Sequence, residues 1–414
     1  MARRSGSFSL RAEEKQSLIS GHSVCERIGA VICLMPFFVP LSFDYFELVP
    51  FFHEMCAAAR YVISFFAVLL FLESRIPSLQ LGLAAGVEIF CVITSLVLGD
   101  FYLTYGLSCF SFIGFAALNI LIYKADRRFL FSFYRVVLGL YLVVDFATRV
   151  LFPEGLICGM TGDGRVWFLG GKNKLPLYLI CFAFFCFEKM RRSDALTRKR
   201  LLGILVLICF MSLYLPSSTS VVAVAFILAF ACVSRRRVGQ VIALWVLLLS
   251  TAGFFFLVVL GWGVGFDLSA LTSLLGKNAT FSGRRAIWDM AIQMIGQAPL
   301  GTGVYVEFNP WPNPDNIVYS AHNTFLDIAV RLGILPVFLL VATILSILKA
   351  YKRSFPEERI FPFFFALSIL ASMMEANQGY YIFWVLISMG ACMTCGQRKK
   401  AHSSVVCLDE RIKE

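Results

Sequence analysis

Charged side chains are scarce in this chain. They make up 15% of its 414 residues, where soluble domains carry about a quarter. That shortage excludes an ordinary soluble globular protein. Histidine is scarcer still, with 4 residues. No Asp-x-Asp pair occurs, so a metal-bound nucleotide sugar is not suggested, and neither a P-loop nor a Gly-x-Ser-x-Gly elbow is present. No Cys/His cluster stands at zinc spacing. The 13 cysteines lie mostly in apolar stretches, as at Cys33, Cys91, Cys109, Cys181, Cys209 and Cys232, where a buried small hydrophobe is the plain reading. No metal and no cofactor is expected. Internal repeats are absent, and no cleavable signal peptide is evident, because the first apolar run begins only after residue 27.

What is abundant is apolar sequence. Hydrophobic residues make up 59% of the chain, 42 of them Phe, and the mean hydropathy is +0.78. Apolar runs of about 20 residues recur, the length that crosses a bilayer as a helix. Their positions predict an all-α, polytopic membrane protein with twelve spans: 28–46, 56–73, 79–98, 103–123, 129–152, 175–188, 201–216, 219–233, 239–262, 322–348, 360–375 and 379–395. Net charge is +11, but the cations sit in alternate short loops, and 27 of the 37 Lys and Arg fall in segments assigned to the inside. That is the positive-inside pattern of a cytoplasmic-membrane protein with both termini cytoplasmic, and it excludes nucleic-acid binding as the meaning of the charge.

The division that follows is a basic N-terminus over 1–27, nine spans over 28–262, a long outer loop over 263–321, three spans over 322–395 and a basic tail over 396–414. Two outer loops stand apart. Residues 153–174 are rich in glycine, and 263–321 is the longest non-membrane segment; loops of this length are usually functional. Within the second, Ile287, Met290, Ala291, Met294 and Ile295 recur at helical spacing. They predict an amphipathic helix over about 283–296, ended by Gly296 and Pro299 and lying in the membrane interface.

Three motifs follow one another there: Ser282-Gly283-Arg284-Arg285-Ala286-Ile287-Trp288, then Pro299-Leu300-Gly301-Thr302-Gly303, then Ala321-His322-Asn323-Thr324-Phe325-Leu326. A guanidinium keeps its charge and grips phosphate oxygens two at a time, so Arg284 is a candidate phosphate ligand; headgroup anchoring is its bland alternative. Arg285 reads more as an anchor, with Asp289 one turn on as its partner. Imidazole changes protonation near neutrality, which suits His322 to taking a proton from a sugar hydroxyl; an end-of-helix histidine is the alternative. Asn323 and Thr324 suit a helix start. Asp327 with Arg331, and Asp145 with Arg149, read as pairs inside spans, and Glu88 is a further intramembrane acid. Arg165, Lys172 and Lys174 make a second cationic patch beside Gly170 and Gly171, able to cradle phosphate. Trp288, Tyr305 and Trp311 are rings that could stack on sugars or sit at the interface.

The order Ser-Gly-Arg-Arg-Ala-Ile-Trp, Pro-Leu-Gly-Thr-Gly and His-Asn-x-x-Leu with Gly333 beyond resembles the O-antigen ligase and polysaccharide polymerase superfamily. The motifs cover roughly 280–340; the expected topology covers the chain. The resemblance implies a metal-independent, inverting membrane glycosyltransferase. It would work on the outer face, on an oligosaccharide carried by undecaprenyl diphosphate, with a glycan acceptor and possible partners among other polysaccharide-assembly proteins. His322 takes the position of the family's base, and Arg284 that of its phosphate-binding arginine. Where ligases resemble one another in a second arginine, this chain has Ser217-Ser218-Thr219-Ser220. That departure favours polymerisation of repeat units over ligation of finished glycan. Arg165, Lys172 or Lys174 would then replace the missing charge, and Arg285 and Asn323 would assist at the diphosphate. A lipid-linked oligosaccharide flippase is the alternative from another class.

Overall fold

Crossing about 30 Å of hydrocarbon takes roughly 20 helical residues at 1.5 Å each. In the computed structural model, which describes residues 24–40, 42–45, 50–158, 165–261, 283–310, 318–355 and 359–395, five helices are long and apolar enough to do so. They include α2 (Pro50–Glu73) and α3 (Leu79–Leu98), which follow α1 (Val24–Leu34), and α4 (Leu103–Leu151). The 49 residues of α4 form two helices joined at a kink rather than one straight helix. Asp126 leaves helical backbone (φ −144°, ψ 88°), and its carboxylate accepts from Phe129 N at 2.9 Å, capping a new helix. Tyr134 Oη donates to Asn119 Oδ1 at 2.5 Å. Fifteen residues apart in one straight helix, those groups would stand about 22 Å from each other, so the two halves fold back as a hairpin.

A short antiparallel pair, β1 (Ile157–Cys158) and β2 (Arg165–Val166), with Ile157 opposite Val166, lies between α4 and α5 (Leu175–Arg191). There follow α6 (Ala195–Met211), capped by Asp194, α7 (Ser218–Val233), capped by Ser217, and α8 (Arg237–Gly253), whose π-helical continuation Phe254–Val259 completes the fourth long apolar stretch. Then come α9 (Arg284–Gln297), α10 (Thr324–Leu332), α11 (Ile334–Ser354), the fifth long helix, α12 (Ile360–Met373) and α13 (Tyr381–Cys395).

Three of the shorter helices, α5, α12 and α13, are apolar on nearly every face and buried along almost their whole length. Such helices form the centre of a bundle. Their aromatic rings interlock across helices, with Phe230 stacked on Phe363 at 4.1 Å and Tyr134 on Phe185 at 4.9 Å. Hydropathy reads them as spans but is silent on whether lipid or protein surrounds them. Against the expectation that no Cys-x-x-Cys pair occurs, Cys392 and Cys395 have that spacing at the end of α13, where both are free thiols.

The predicted span 322–348 is divided. Gly333 adopts φ +88° between α10 and α11, and the Pro-Leu-Gly-Thr-Gly segment lies against the break. Thr302 N donates to Val330 O at 2.8 Å, Gly303 N to Arg331 O at 3.0 Å and Ile334 N to Pro299 O at 3.0 Å. A Cβ on Gly301 (φ +102°) would stand 2.5 Å from Arg331 O, so this close backbone packing requires glycine. The second and third motifs are thus one structural unit. The helix α9 begins at Arg284 after Gly283 (φ +83°). Its apolar face does not lie open towards a membrane surface: Ile287, Trp288 and Ala291 are buried with Val258, Val259, Phe308, Ala321 and Val330 in a second small core.

Candidate functional site

Glu375, the last residue of the predicted span 360–375, lies at the centre of the site. It sits in the link between α12 and α13 and is 6% exposed. Its Oε1 is 3.2 Å from His322 Nδ1 and 3.8 Å from Lys174 Nζ. Its Oε2 is 3.2 Å from Arg284 Nη2. One buried carboxylate therefore joins three residues that are 201, 91 and 53 positions away along the chain. Burial by itself would raise the carboxyl; the His322 hydrogen bond and the charges of Lys174, His322 and Arg284 outweigh it and hold the group down at about 2.

Each member is positioned by its own backbone. Arg284 is the first residue of α9, and its Nη1 also donates to Met374 O. Lys174 precedes α5, donates from Nζ to Ala376 O at 2.9 Å and lies over the Tyr380 ring at 3.9 Å. His322 has φ +47°, a left-handed conformation that costs a non-glycine residue about 1 kcal/mol or more. The neighbours on both sides hold it there. Trp288 Nε1 donates to Ala321 O at 3.0 Å, Ala321 N to Asp327 Oδ1 at 2.9 Å, and Asn323 caps α10 by accepting from Phe325 N and Leu326 N. The Glu375 link is tied to α10 as well, since Thr324 Oγ1 donates to Glu375 O at 3.0 Å and accepts from Asn377 N at 2.9 Å.

An ionised carboxylate only accepts. Its bond to His322 is therefore made by Nδ1–H, which leaves Nε2 of a neutral ring with the lone pair. A carboxylate behind an imidazole fixes the ring's orientation and tautomer.

The remaining sequence candidates separate. Arg165 pairs with Glu154 at 3.1 Å, and its side chain is 42% exposed; it is not among the partners of Glu375. Lys172 is partly buried and Tyr305 is exposed, stacked on Tyr102 at 5.7 Å. Arg285 pairs with Asp289 at 2.8 Å and donates to Val258 O at 2.6 Å. Asn323 is fully buried; its oxygen caps α10, and its Nδ2 has no hydrogen-bond partner among the described residues. Trp288 is 1% exposed; no face of its indole is open to a sugar, and it braces the loop before His322 instead. Trp311 lies outside the described residues. Asp327 and Arg331 pair at 2.9 Å, and Asp145 and Arg149 at 2.7 Å.

The signal for Glu375 was present in the sequence. It is an acid between two apolar helices, in Met373-Met374-Glu375-Ala376-Asn377-Gln378. An imidazole proposed as a base calls for a carboxylate behind it, which is the question that finds this residue.

The cluster opens on a cavity of about 1180 Å³, above the usual range of small-molecule sites. Lys174, Glu375 and Tyr380 line one part of it; elsewhere apolar residues such as Phe37, Val87, Phe112 and Leu340 alternate with polar ones, among them Glu54, Arg60 and Glu88. A polar head and a hydrocarbon chain both find matching surface in it.

Long apolar helices around a charged cluster at the edge of a large cavity mark a multi-pass membrane protein. Residues 201–341 match the model of the family described as O-antigen ligase, and this segment supports a place in the O-antigen ligase superfamily. The match and the apolar helices support, at a general level, membrane glycosyl transfer in polysaccharide biosynthesis. The matched segment contains Arg284 and His322 but neither Lys174 nor Glu375. No curated protein matches the chain.

Proposed function

We propose that the protein joins glycan repeat units carried on polyprenyl diphosphate, in a metal-independent, inverting transfer at the outer face of the cytoplasmic membrane. The observation that carries this reading is the shared Glu375 carboxylate, which orients His322 and gathers Arg284 and Lys174 beside it. A sugar hydroxyl is a poor nucleophile, and a base removing its proton lowers the barrier. A diphosphate is already a good leaving group and needs charge more than a proton. His322 Nε2 takes the hydroxyl proton while the oxygen attacks the anomeric carbon of the donor sugar. The carbon–oxygen bond to the diphosphate breaks on the opposite face, and the diphosphate leaves with the electron pair, so the configuration inverts.

The charges keep pace with this. Lys174, Arg284 and Glu375 together carry one net positive charge with His322 neutral, and two once it holds the proton. Positive charge therefore increases beside the diphosphate as negative charge develops on it. Lys174 supplies the cation absent from Ser217–Ser220.

The test is glycan chain length in cells whose own copy is replaced by Arg284→Ala or His322→Ala. The expected result is single repeat units in place of long polymer. Accumulation of finished polymer on its lipid carrier would identify ligation instead. Long polymer undiminished at normal protein level would refute both roles.

A further inference from the structure

The cavity holds a second cation that the cluster at Glu375 does not use. Arg60 lies inside α2, one of the five long apolar helices, where a charged side chain is costly unless it is paired or serves a ligand. Arg149 and Arg331 meet that cost with Asp145 and Asp327. Among the described residues Arg60 forms no ion pair, and its buried Nε has no hydrogen-bond partner. Glu54 and Glu88 share the cavity wall, but neither pairs with it.

What holds the guanidinium is a ring. Arg60 Cζ lies 5.6 Å from the centroid of Tyr381. That ring is fixed by a 2.5 Å hydrogen bond between its hydroxyl and Ser111 Oγ and by edge contacts with Phe37 and Phe115. The neighbouring ring, Tyr380, carries Lys174. Two cations are thus seated on consecutive tyrosines at the head of α13, and both line one cavity. Lys174 is balanced by Glu375; among the described residues Arg60 is positioned but not neutralised. Stacking directs the guanidinium while leaving its N–H groups able to grip an anion, and the apolar walls around it suit a hydrocarbon chain.

We propose that Arg60 is a second anion site in this cavity, binding the phosphate head of a second polyprenyl-linked molecule, the carrier of the acceptor glycan. This rests on the reading above in which the donor diphosphate occupies the Arg284 and Lys174 side. Two heads in one cavity, separated by the Tyr380–Tyr381 pair, would bring acceptor hydroxyl and donor carbon together on His322.

The experiment counts farnesyl diphosphate bound to the full-length protein in nanodiscs by native mass spectrometry. Inorganic diphosphate (no tail), farnesol (no charge) and phosphatidylglycerol serve as competitors. Two molecules are expected on the wild type. Arg60→Gln should keep one and lose the other, with an affinity loss of about tenfold or more at that site, and Arg60→Lys should restore part of it. A photoreactive farnesyl diphosphate on the wild type should label α2 or α13 as well as α9, which requires no variant to fold. One molecule on the wild type, unchanged binding to Arg60→Gln, no label in α2 or α13, or equal displacement by phosphatidylglycerol would overturn the second site. These readouts do not depend on turnover. A retained second site with normal polymer from His322→Ala would defeat the proposed chemistry alone.

Discussion

Replacing Glu375 with Gln keeps the shape of the side chain and removes its charge. In the native structure the carboxyl is lowered from an ordinary 4.5 to about 2. At 1.36 kcal/mol for each factor of ten in acidity, its surroundings favour the charged form by about 3 kcal/mol. The amide oxygen can still accept one hydrogen bond, but Arg284, Lys174 and His322 would face each other with no counter-charge. The expected loss of stability is therefore about 2–4 kcal/mol, in line with breaking a buried charge pair from one side. Activity should fall further, by about a hundredfold or more, because the base loses the carboxylate that orients it and fixes its tautomer. The assay is extension of a lipid-linked repeat by purified protein, with thermal unfolding of the same samples. Combining Glu375→Gln with His322→Ala should cost little more activity than His322→Ala alone, because the two residues act as a unit. Turnover within threefold of wild type in well-folded Glu375→Gln protein would refute the idea that Glu375 acts through His322.

Two further outcomes follow from the same geometry. The folded-state value of Glu375 lies below its unfolded value, so its contribution to stability is complete above about pH 4.5 and is lost as pH falls towards 2; acid unfolding followed from pH 6 to pH 2 should show this loss, and Glu375→Gln should remove it. Lys174→Met should weaken binding of the donor lipid by about tenfold or more, whereas Arg165→Met, which removes an exposed pair with Glu154, should cost at most about 1 kcal/mol of stability and leave binding unchanged. Titration of each purified variant with a lipid-linked repeat separates the two.

The apolar runs and the three motifs were legible because each is a local property. Hydropathy depends on neighbours within about 20 residues, and Gly301, His322 and Arg284 are conspicuous by their spacing. Where the cations were alike in sequence, local reading could not choose among them. Arg165, Lys172 and Lys174 share one loop, yet Lys174 is the one whose Nζ reaches Glu375 and Ala376 O. Trp288 read as an exposed ring because a tryptophan beside an arginine is common at membrane interfaces; its burial depends on Val258, Phe308 and Ala321, which come from other segments.

By itself, then, the amino-acid sequence determined the helical membrane class, the succession of apolar stretches and the motifs that bear Arg284 and His322. Tertiary structure alone decided that α4 turns back on itself at Asp126, that α5, α12 and α13 form the protein's interior, and that Glu375 stands between His322, Arg284 and Lys174. The reason is one of range. A helix is specified by contacts three and four residues apart, whereas the Glu375 cluster joins segments as much as 201 residues apart, and only the packing of the bundle brings them within hydrogen-bonding distance.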